Sequence, residues 1–129
     1  MSLESHLRDR DLRALFDHLV DEVNQTVGQC QVLSLPCCIH LVGDHDFLAV
    51  LPKRDRLEIR FALRRQLTSS KVTRSARISN TSYKHSVDVR TTADIDDTLL
   101  GWVREAYELD GTLSRGRTAA GRPAGTPGG

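Results

Sequence analysis

The sequence predicts an α+β fold, a two-layer sandwich in which an antiparallel sheet of five or six strands carries an N-terminal and a C-terminal helix on one face. Two observations support this prediction. Apolar residues recur at helical spacing near both ends of the chain, whereas the segments between are short, rich in Val, Ile and Leu, and divided by turn residues. The order helix, strands, helix is typical of an antiparallel sheet covered on one side.

The first helix is predicted to begin at Asp9 or Asp11 and to stop at Gly28. Its apolar residues share one broad face: Leu12, Leu15, Phe16, Leu19, Val20, Val23 and Val27. Residues 1–8 are predicted to form a flexible leader, so that a single domain spans residues 9–110.

A second helix is predicted over residues 92–111, with Asp94 capping its first turn and Gly111 closing its last. Its apolar stripe contains the only Trp of the chain: Ile95, Leu99, Trp102, Ala106 and Leu109. Residues 111–129, rich in Gly, Pro and Arg, are predicted to be a disordered tail.

Turn residues separate the predicted strands QCQVLSLP, CCIHLV, HDFLAVLP, RLEIRFAL and YKHSVDVR. RLEIRFAL alternates most clearly. Leu57, Ile59, Phe61 and Leu63 are expected to meet the helices, and Arg56, Glu58 and Arg60 to lie on the open side. Residues 64–74 are predicted to form a polar basic loop, and residues 76–79 a short edge strand.

Composition predicts a soluble cytoplasmic protein that does not enter a membrane. The 129 residues are 39% hydrophobic and 27% charged, ordinary for a globular domain. No apolar run approaches the roughly 20 residues that span a bilayer, and the N-terminus lacks a hydrophobic signal core. The three cysteines, Cys30, Cys37 and Cys38, are an odd number and are expected to be reduced thiols.

Charge is unevenly distributed, because basic residues outnumber acids between residues 53 and 77 while the helices are rich in acids. This pattern predicts a noncatalytic binding module with a basic sheet and loop surface for an anionic ligand or protein partner, nucleic acid being one candidate. The predicted anion-binding residues are Arg56, Arg60, Arg64, Arg65, Lys71, Arg74, Arg77, Lys84 and His85. In the alternative interpretation, the arginines only solubilise an exposed face and pair with acids.

A second function class is a small enzyme or ligand-binding protein with a pocket near His85 and Tyr83. The sequence holds no complete catalytic constellation, so the noncatalytic class is favoured and no catalytic residue or cofactor is assigned. A buried His85 that only makes structural hydrogen bonds is the simpler interpretation of that residue. Self-association through an uncovered sheet face or edge is a further alternative.

The cysteines and histidines complete neither a metal-binding pattern nor a nucleophile pattern. Cys38 and His40 are expected to point to one side of a strand, with His45 across the turn and Cys37 on the opposite side. Two aligned ligands do not complete a zinc site, so no metal is predicted. A thiol–imidazole pair would also need an orienting third group, which the sequence does not place.

Four segments carry a resemblance to a known family: LRALFDHLV at residues 12–20, FLAVLP at 47–52, SYKHSVDVR at 82–90 and DIDDTLLGWVREAYEL at 94–109. With its LFDxLV, YxH and DxDDxLLxWxREAYEL patterns, the chain resembles an uncharacterised family of small bacterial domains known only as a domain of unknown function. The resemblance implies no activity and no catalytic residue. Some members look fused to other bacterial domains or encoded near nucleic-acid defence systems. The layout is also similar to the frataxin and YjbR type, at fold level only.

Overall fold

The computed structural model describes residues 6–109 and confirms the α+β prediction. Residues 1–5 and the tail predicted at 111–129 lie outside the described residues. In chain order the elements are α1 (Arg10–Thr26), β1 (Gln31–Ser34), β2 (Ile39–Val42), β3 (Asp46–Pro52), β4 (Leu57–Leu63), β5 (Val72–Ser79), β6 (Ser82–Val89), a 3₁₀ turn (Thr92–Asp94) and α2 (Asp97–Glu108).

The six strands form one antiparallel sheet in the order β1-β2-β3-β4-β6-β5. The first four strands follow one another as neighbours, and β6 then lies between β4 and β5. Consequently β1 and β5 are the two edge strands, and β4 lies inside the sheet. Both helices pack on the same face of this sheet, which leaves the other face open.

The alternation of β4 decides which face is covered. Leu57, Ile59 and Leu63 are completely buried and Phe61 is nearly so. The alternate residues Glu58, Arg60 and Ala62 are only partly buried. The Phe61 ring stacks on the Trp102 ring of α2 with a centroid separation of 6.3 Å. The predicted division of this strand into a helix-facing side and an open side is therefore confirmed.

The start of α1 also agrees with its prediction. The Asp9 carboxylate accepts hydrogen bonds from the backbone N–H groups of Asp11 (2.8 Å) and Leu12 (3.1 Å), as expected of an N-cap. Leu7, which the sequence assigns to a flexible leader, is only 4% exposed and belongs to the core. Packing therefore begins before the cap residue.

The second helix begins later than its sequence predicts. Asp94 lies in the 3₁₀ turn, and its carboxylate accepts from the N–H groups of Arg90 (2.8 Å) and Thr91 (3.2 Å). Asp96 is the N-cap of α2 and accepts from the N–H of Leu99 at 2.9 Å. The helix ends at Glu108, and Gly111 lies outside the described residues.

The fifth strand begins earlier than predicted. β5 starts at Val72, so the basic loop is shorter than the predicted 64–74, and the edge strand is longer than the predicted 76–79. Because β5 lies at an edge of the sheet, most of its residues are exposed and polar. The sequence therefore lacks the apolar alternation that would predict the full length of the strand. Within residues 6–109, neither helix is both long and apolar enough to cross a membrane.

Candidate binding face of the sheet

The face of the sheet opposite the helices carries three rows of side chains that the strand register places side by side. The central row runs across all six strands and holds Leu33, His40, Ala49, Arg60, Ser86 and Arg74. On one side of it lies a row with Leu51, Glu58 and Asp88. On the other side lies a row with Ala62, Lys84 and Ala76.

Ion pairs occupy the row that contains Glu58 and Asp88. The Glu58 carboxylate accepts from Nε of Arg60 at 2.5 Å and lies 3.8 Å from Nζ of Lys53. Burial alone would raise the pKa of Glu58, but the hydrogen bond and charge of Arg60, together with the charges of Lys53 and Arg74, hold the pKa below its ordinary value. Arg56 lies 3.3 Å from the Asp88 carboxylate. These two predicted anion-binding arginines therefore already neutralise carboxylates of the sheet.

The alanine row has a different character, because Lys84 is flanked by Ala62 on β4 and by Ala76 on β5. No carboxylate lies directly across from the lysine on either neighbouring strand. Among residues 6–109, Lys84 forms no ion pair, and its side chain is exposed. A cation without a partner is therefore available to a ligand at this position.

A shallow cavity of about 260 Å³ adjoins Lys84 on the open face. Ala49 and Ala62 contribute to its lining, and their short side chains leave room between the longer residues. Arg60, Lys84, His40, Asp46 and Ile78 also line it. Ile78 is 53% exposed, which is unusual for a large apolar side chain and gives the cavity an apolar edge.

The predicted loop residues belong to a different part of the molecule. Arg65 donates to the Glu105 carboxylate of α2 through two nitrogens, at 3.1 and 2.9 Å. Lys71 donates to the carboxylate of Asp96, the N-cap of α2. Arg65 and Lys71 thus attach the segment between β4 and β5 to α2 and its N-cap. Arg64 is an exposed neighbour of Arg65 in the same connection.

The two remaining arginines lie on the edge strand. Arg74 is paired with Ser86 in the central row, and its charge reaches Glu58. Arg77 donates to the carbonyl of Ser79 (3.1 Å) and to Asn80 (2.7 Å) at the turn that leads to β6. The structure therefore brings Arg56, Arg60, Arg74 and Lys84 onto one face, whereas Arg65 and Lys71 pair with acids of α2 and its N-cap.

His85 does not share this face. Its ring is fully buried, 5.6 Å from the Phe61 ring on the helix side, and its Nε2 accepts from the backbone N–H of Leu67 at 3.0 Å. This hydrogen bond requires a neutral ring with the proton on Nδ1. Burial lowers the pKa of His85 below its ordinary value, and the positive charge of Arg65 adds to the effect. A ring enclosed in this way has a structural role in the core. This supports the interpretation that His85 only makes structural hydrogen bonds, rather than the one that places it in a pocket.

The buried histidine predicts a pH dependence. Because the folded pKa lies below the unfolded value of 6.5, the unfolded chain binds a proton that the folded chain does not. The stabilisation is fully present above about pH 6.5 and is lost as the pH falls below it. We expect the free energy of unfolding to decrease as the pH falls from about 6.5 to 5. Urea unfolding followed by Trp102 fluorescence measures this decrease, and His85→Gln should flatten it; an equal decrease in that variant would contradict the assignment.

A chain of hydrogen bonds that the sequence did not predict lies at the other end of the cavity. The Sγ of Cys38 is 3.1 Å from Nε2 of His40, and Nδ1 of the same ring bonds the Asp46 carboxylate. Cys38 and His40 were predicted only to point to the same side of a strand, with His45 across the turn. His45 instead bonds the Ala106 carbonyl at 3.0 Å. A register shift between Leu41 and Val42 pairs Val42 with Asp46 at the start of β3.

Cys37 also differs from its predicted orientation. Its Sγ lies 3.3 Å from the Sγ of Cys38 rather than on the opposite side. Both residues precede β2, in a turn closed by the bond from Leu35 N–H to the Cys38 carbonyl (2.9 Å), so strand alternation does not apply to them. Burial raises the pKa of Cys38 to about 11, with a further contribution from the hydrogen bond to Cys37. Among the described residues, no group of three or more His, Cys, Asp or Glu side chains is arranged to hold a metal ion.

Fold and surface together define a two-layer α+β domain with a covered sheet face and an open, charged one. The chain belongs to the family described as domain of unknown function DUF5655, whose model matches residues 3–110. No curated protein and no solved structure matches the chain.

Proposed function

We propose that this domain is a noncatalytic binding module that holds an anionic group of a partner in the cavity beside Lys84. The observation that carries the proposal is the exposed Lys84 ammonium, flanked by alanines and without an ion pair among residues 6–109. Arg60 lines the same cavity, but its charge is already paired with Glu58, so Lys84 is the cation that the proposal depends on. A carboxylate or phosphate placed there would gain a charge-assisted hydrogen bond without displacing an ion pair of the protein.

The surroundings of the cavity favour an acidic protein segment over nucleic acid. Arg56 and Arg60 already pair with Asp88 and Glu58, so this face offers few free cations for the successive phosphates of a nucleic-acid backbone. The rings of Phe61 and Trp102 stack against each other on the helix side, so they offer no platform for bases. Ile78, by contrast, offers apolar contact to a side chain beside an acidic group. Nucleic acid is therefore the alternative partner that the experiment must distinguish.

Fluorescence anisotropy with two labelled probes tests the proposal: a glutamate-rich peptide that contains one isoleucine, and a short single-stranded DNA. We expect the peptide to bind at low salt and to dissociate as salt increases, because exposed charges are screened. Lys84→Glu should weaken peptide binding about tenfold or more, since a hydrogen bond between charged groups is worth roughly 1.5–3 kcal/mol.

Arg54→Glu is the matched control, because it makes the same change in net charge at an exposed position in the turn between β3 and β4. It should leave the peptide affinity unchanged within about twofold if local contact rather than total charge decides binding. Equal weakening by the two variants, or no peptide binding at low salt, would contradict the proposal. Binding of DNA alone would reject the acidic segment as the partner.

A further inference from the structure

We infer that Cys37 and Cys38 form a redox-active dithiol, a modification site at which a hydroperoxide converts the two thiols into a disulfide between neighbouring residues. The inference rests on the separation of the two sulfur atoms and on the hydrogen-bonded side chains behind them. It does not depend on which partner the open face binds.

The two thiols differ in accessibility. Cys37 is exposed, whereas Cys38 is buried behind it, and their sulfur atoms are 3.3 Å apart. The turn that precedes β2 holds this arrangement through the hydrogen bond from Leu35 N–H to the Cys38 carbonyl. An oxidant therefore reaches Cys37 first, and Cys38 is placed to react with the oxidised sulfur.

The hydrogen-bond chain fixes the direction in which a proton can move. The Asp46 carboxylate only accepts hydrogen bonds, so the Nδ1 of His40 carries the proton between them. In a neutral ring Nε2 then accepts, and the Cys38 thiol donates to it. Burial keeps Cys38 in its thiol form, so its attack on Cys37 needs a base, and Asp46 orients His40 for that role. The Asp46 carboxylate also supports the positive charge that the ring gains.

The chemistry proceeds in two steps that balance. The Cys37 sulfur attacks one oxygen of the hydroperoxide, the O–O bond breaks, and the thiol proton leaves with the other oxygen as water or alcohol, giving a sulfenic acid. Cys38 then transfers its proton to His40, and its sulfur attacks the sulfur of Cys37. The S–O bond breaks, and the departing hydroxide takes the proton from His40 as water. The thiol pair loses two electrons, and the peroxide gains them.

Because the two cysteines are adjacent in the sequence, a disulfide between them is easily reduced. Adjacent Cα atoms are about 3.8 Å apart across a trans peptide bond, closer than the roughly 4.4–6.8 Å usual for disulfides. A bond formed outside that range is more readily reduced, as is typical of regulatory rather than structural disulfides. The site is therefore suited to a reversible modification.

Thiol alkylation of the full chain with mass spectrometry tests the inference. After brief exposure to hydrogen peroxide, we expect only Cys30 to be alkylated and the intact mass to fall by two hydrogens. Dithiothreitol should restore alkylation of all three cysteines. His40→Gln and Asp46→Asn should each slow disulfide formation, His40→Gln by about a hundredfold, as is typical for loss of a general base. His18→Gln, at a partly buried position on α1, should leave the rate unchanged.

Circular dichroism shows whether each variant is folded. If His40→Gln does not fold, the rate of disulfide formation in Asp46→Asn tests the role of the hydrogen-bond chain instead. Three results would overturn the inference: peroxide leaves Cys37 and Cys38 open to alkylation, the disulfide joins Cys30 or a second chain, or His18→Gln slows the reaction as much as Asp46→Asn does.

Discussion

Replacing Ile59 with Ala is expected to lower the free energy of unfolding by about 2–5 kcal/mol. Ile59 is completely buried at the centre of β4, on the face that meets the helices. The substitution removes apolar contacts and leaves a cavity, because the interior strand β4 is hydrogen-bonded on both sides and cannot move in to fill it. Urea unfolding followed by Trp102 fluorescence gives the value.

The same substitution at Ile78 is the matched control. Ile78 is 53% exposed on the edge strand β5, so Ile78→Ala should change the free energy of unfolding by no more than about 0.5 kcal/mol. Because both variants carry the same Ile-to-Ala substitution, the difference between their losses in the free energy of unfolding reports only the position in the sheet. Similar losses in the two variants would mean that the sheet does not have one covered and one open face.

Asp96→Ala is expected to cost about 1–2 kcal/mol, because it removes the N-cap of α2. The carboxylate accepts from the N–H of Leu99 at 2.9 Å and also binds Lys71. The half-exposed ion pair adds little by itself. The Lys71 hydrogen bond, followed by that of Leu99, lowers the pKa of Asp96 below its ordinary value of 3.8. Its contribution is therefore present above that pH and disappears as the pH falls below it.

Asp97→Ala provides the control for the cap. Asp97 is the next residue, exposed in the first turn of α2, and it interacts with the helix dipole without capping it. We expect a loss of only about 0.3–0.5 kcal/mol in thermal or urea unfolding at neutral pH. If Asp97→Ala were the more damaging variant, the assignment of Asp96 as the cap would be wrong.

Local patterns were sufficient to predict the parts of the fold that depend on neighbouring residues. The alternation of β4 correctly separated Leu57 and Ile59 from Glu58 and Arg60. Asp9 was one of two predicted start points of α1, and it is the cap. The second helix was misplaced because Asp94, Asp96 and Asp97 can each cap a helix, and only tertiary packing selects among them.

The arrangement of the open face depends on contacts that local patterns do not contain. The basic residues predicted as one surface divide because Arg65 and Lys71 pair with acids of the helix layer far along the chain. Asp46 contacts His40 next to a register shift in the β2–β3 hairpin. No residue type in the sequence predicts such a shift. The sequence offered one signal for this site, the spacing of Cys38 and His40.

The position of Lys84 between two alanines likewise depends on strand order. β6 pairs with β4 as well as with β5, which places Ala62 and Ala76 on either side of the lysine. A simple succession of hairpins would have put β5 next to β4. The sequence therefore predicted a charged open face, and the topology determined which of its cations lacks an acidic neighbour.

Backbone chemical-shift mapping of the full chain during titration with the glutamate-rich peptide tests most directly whether the open face is the binding face. We expect the largest changes at the amides of Ala49, Ala62 and Lys84, around the cavity. The same titration with Lys84→Glu should show these changes only at much higher peptide concentration. Changes centred on the exposed residues of α1 and α2, with Ala62 and Lys84 unaffected, would contradict the account.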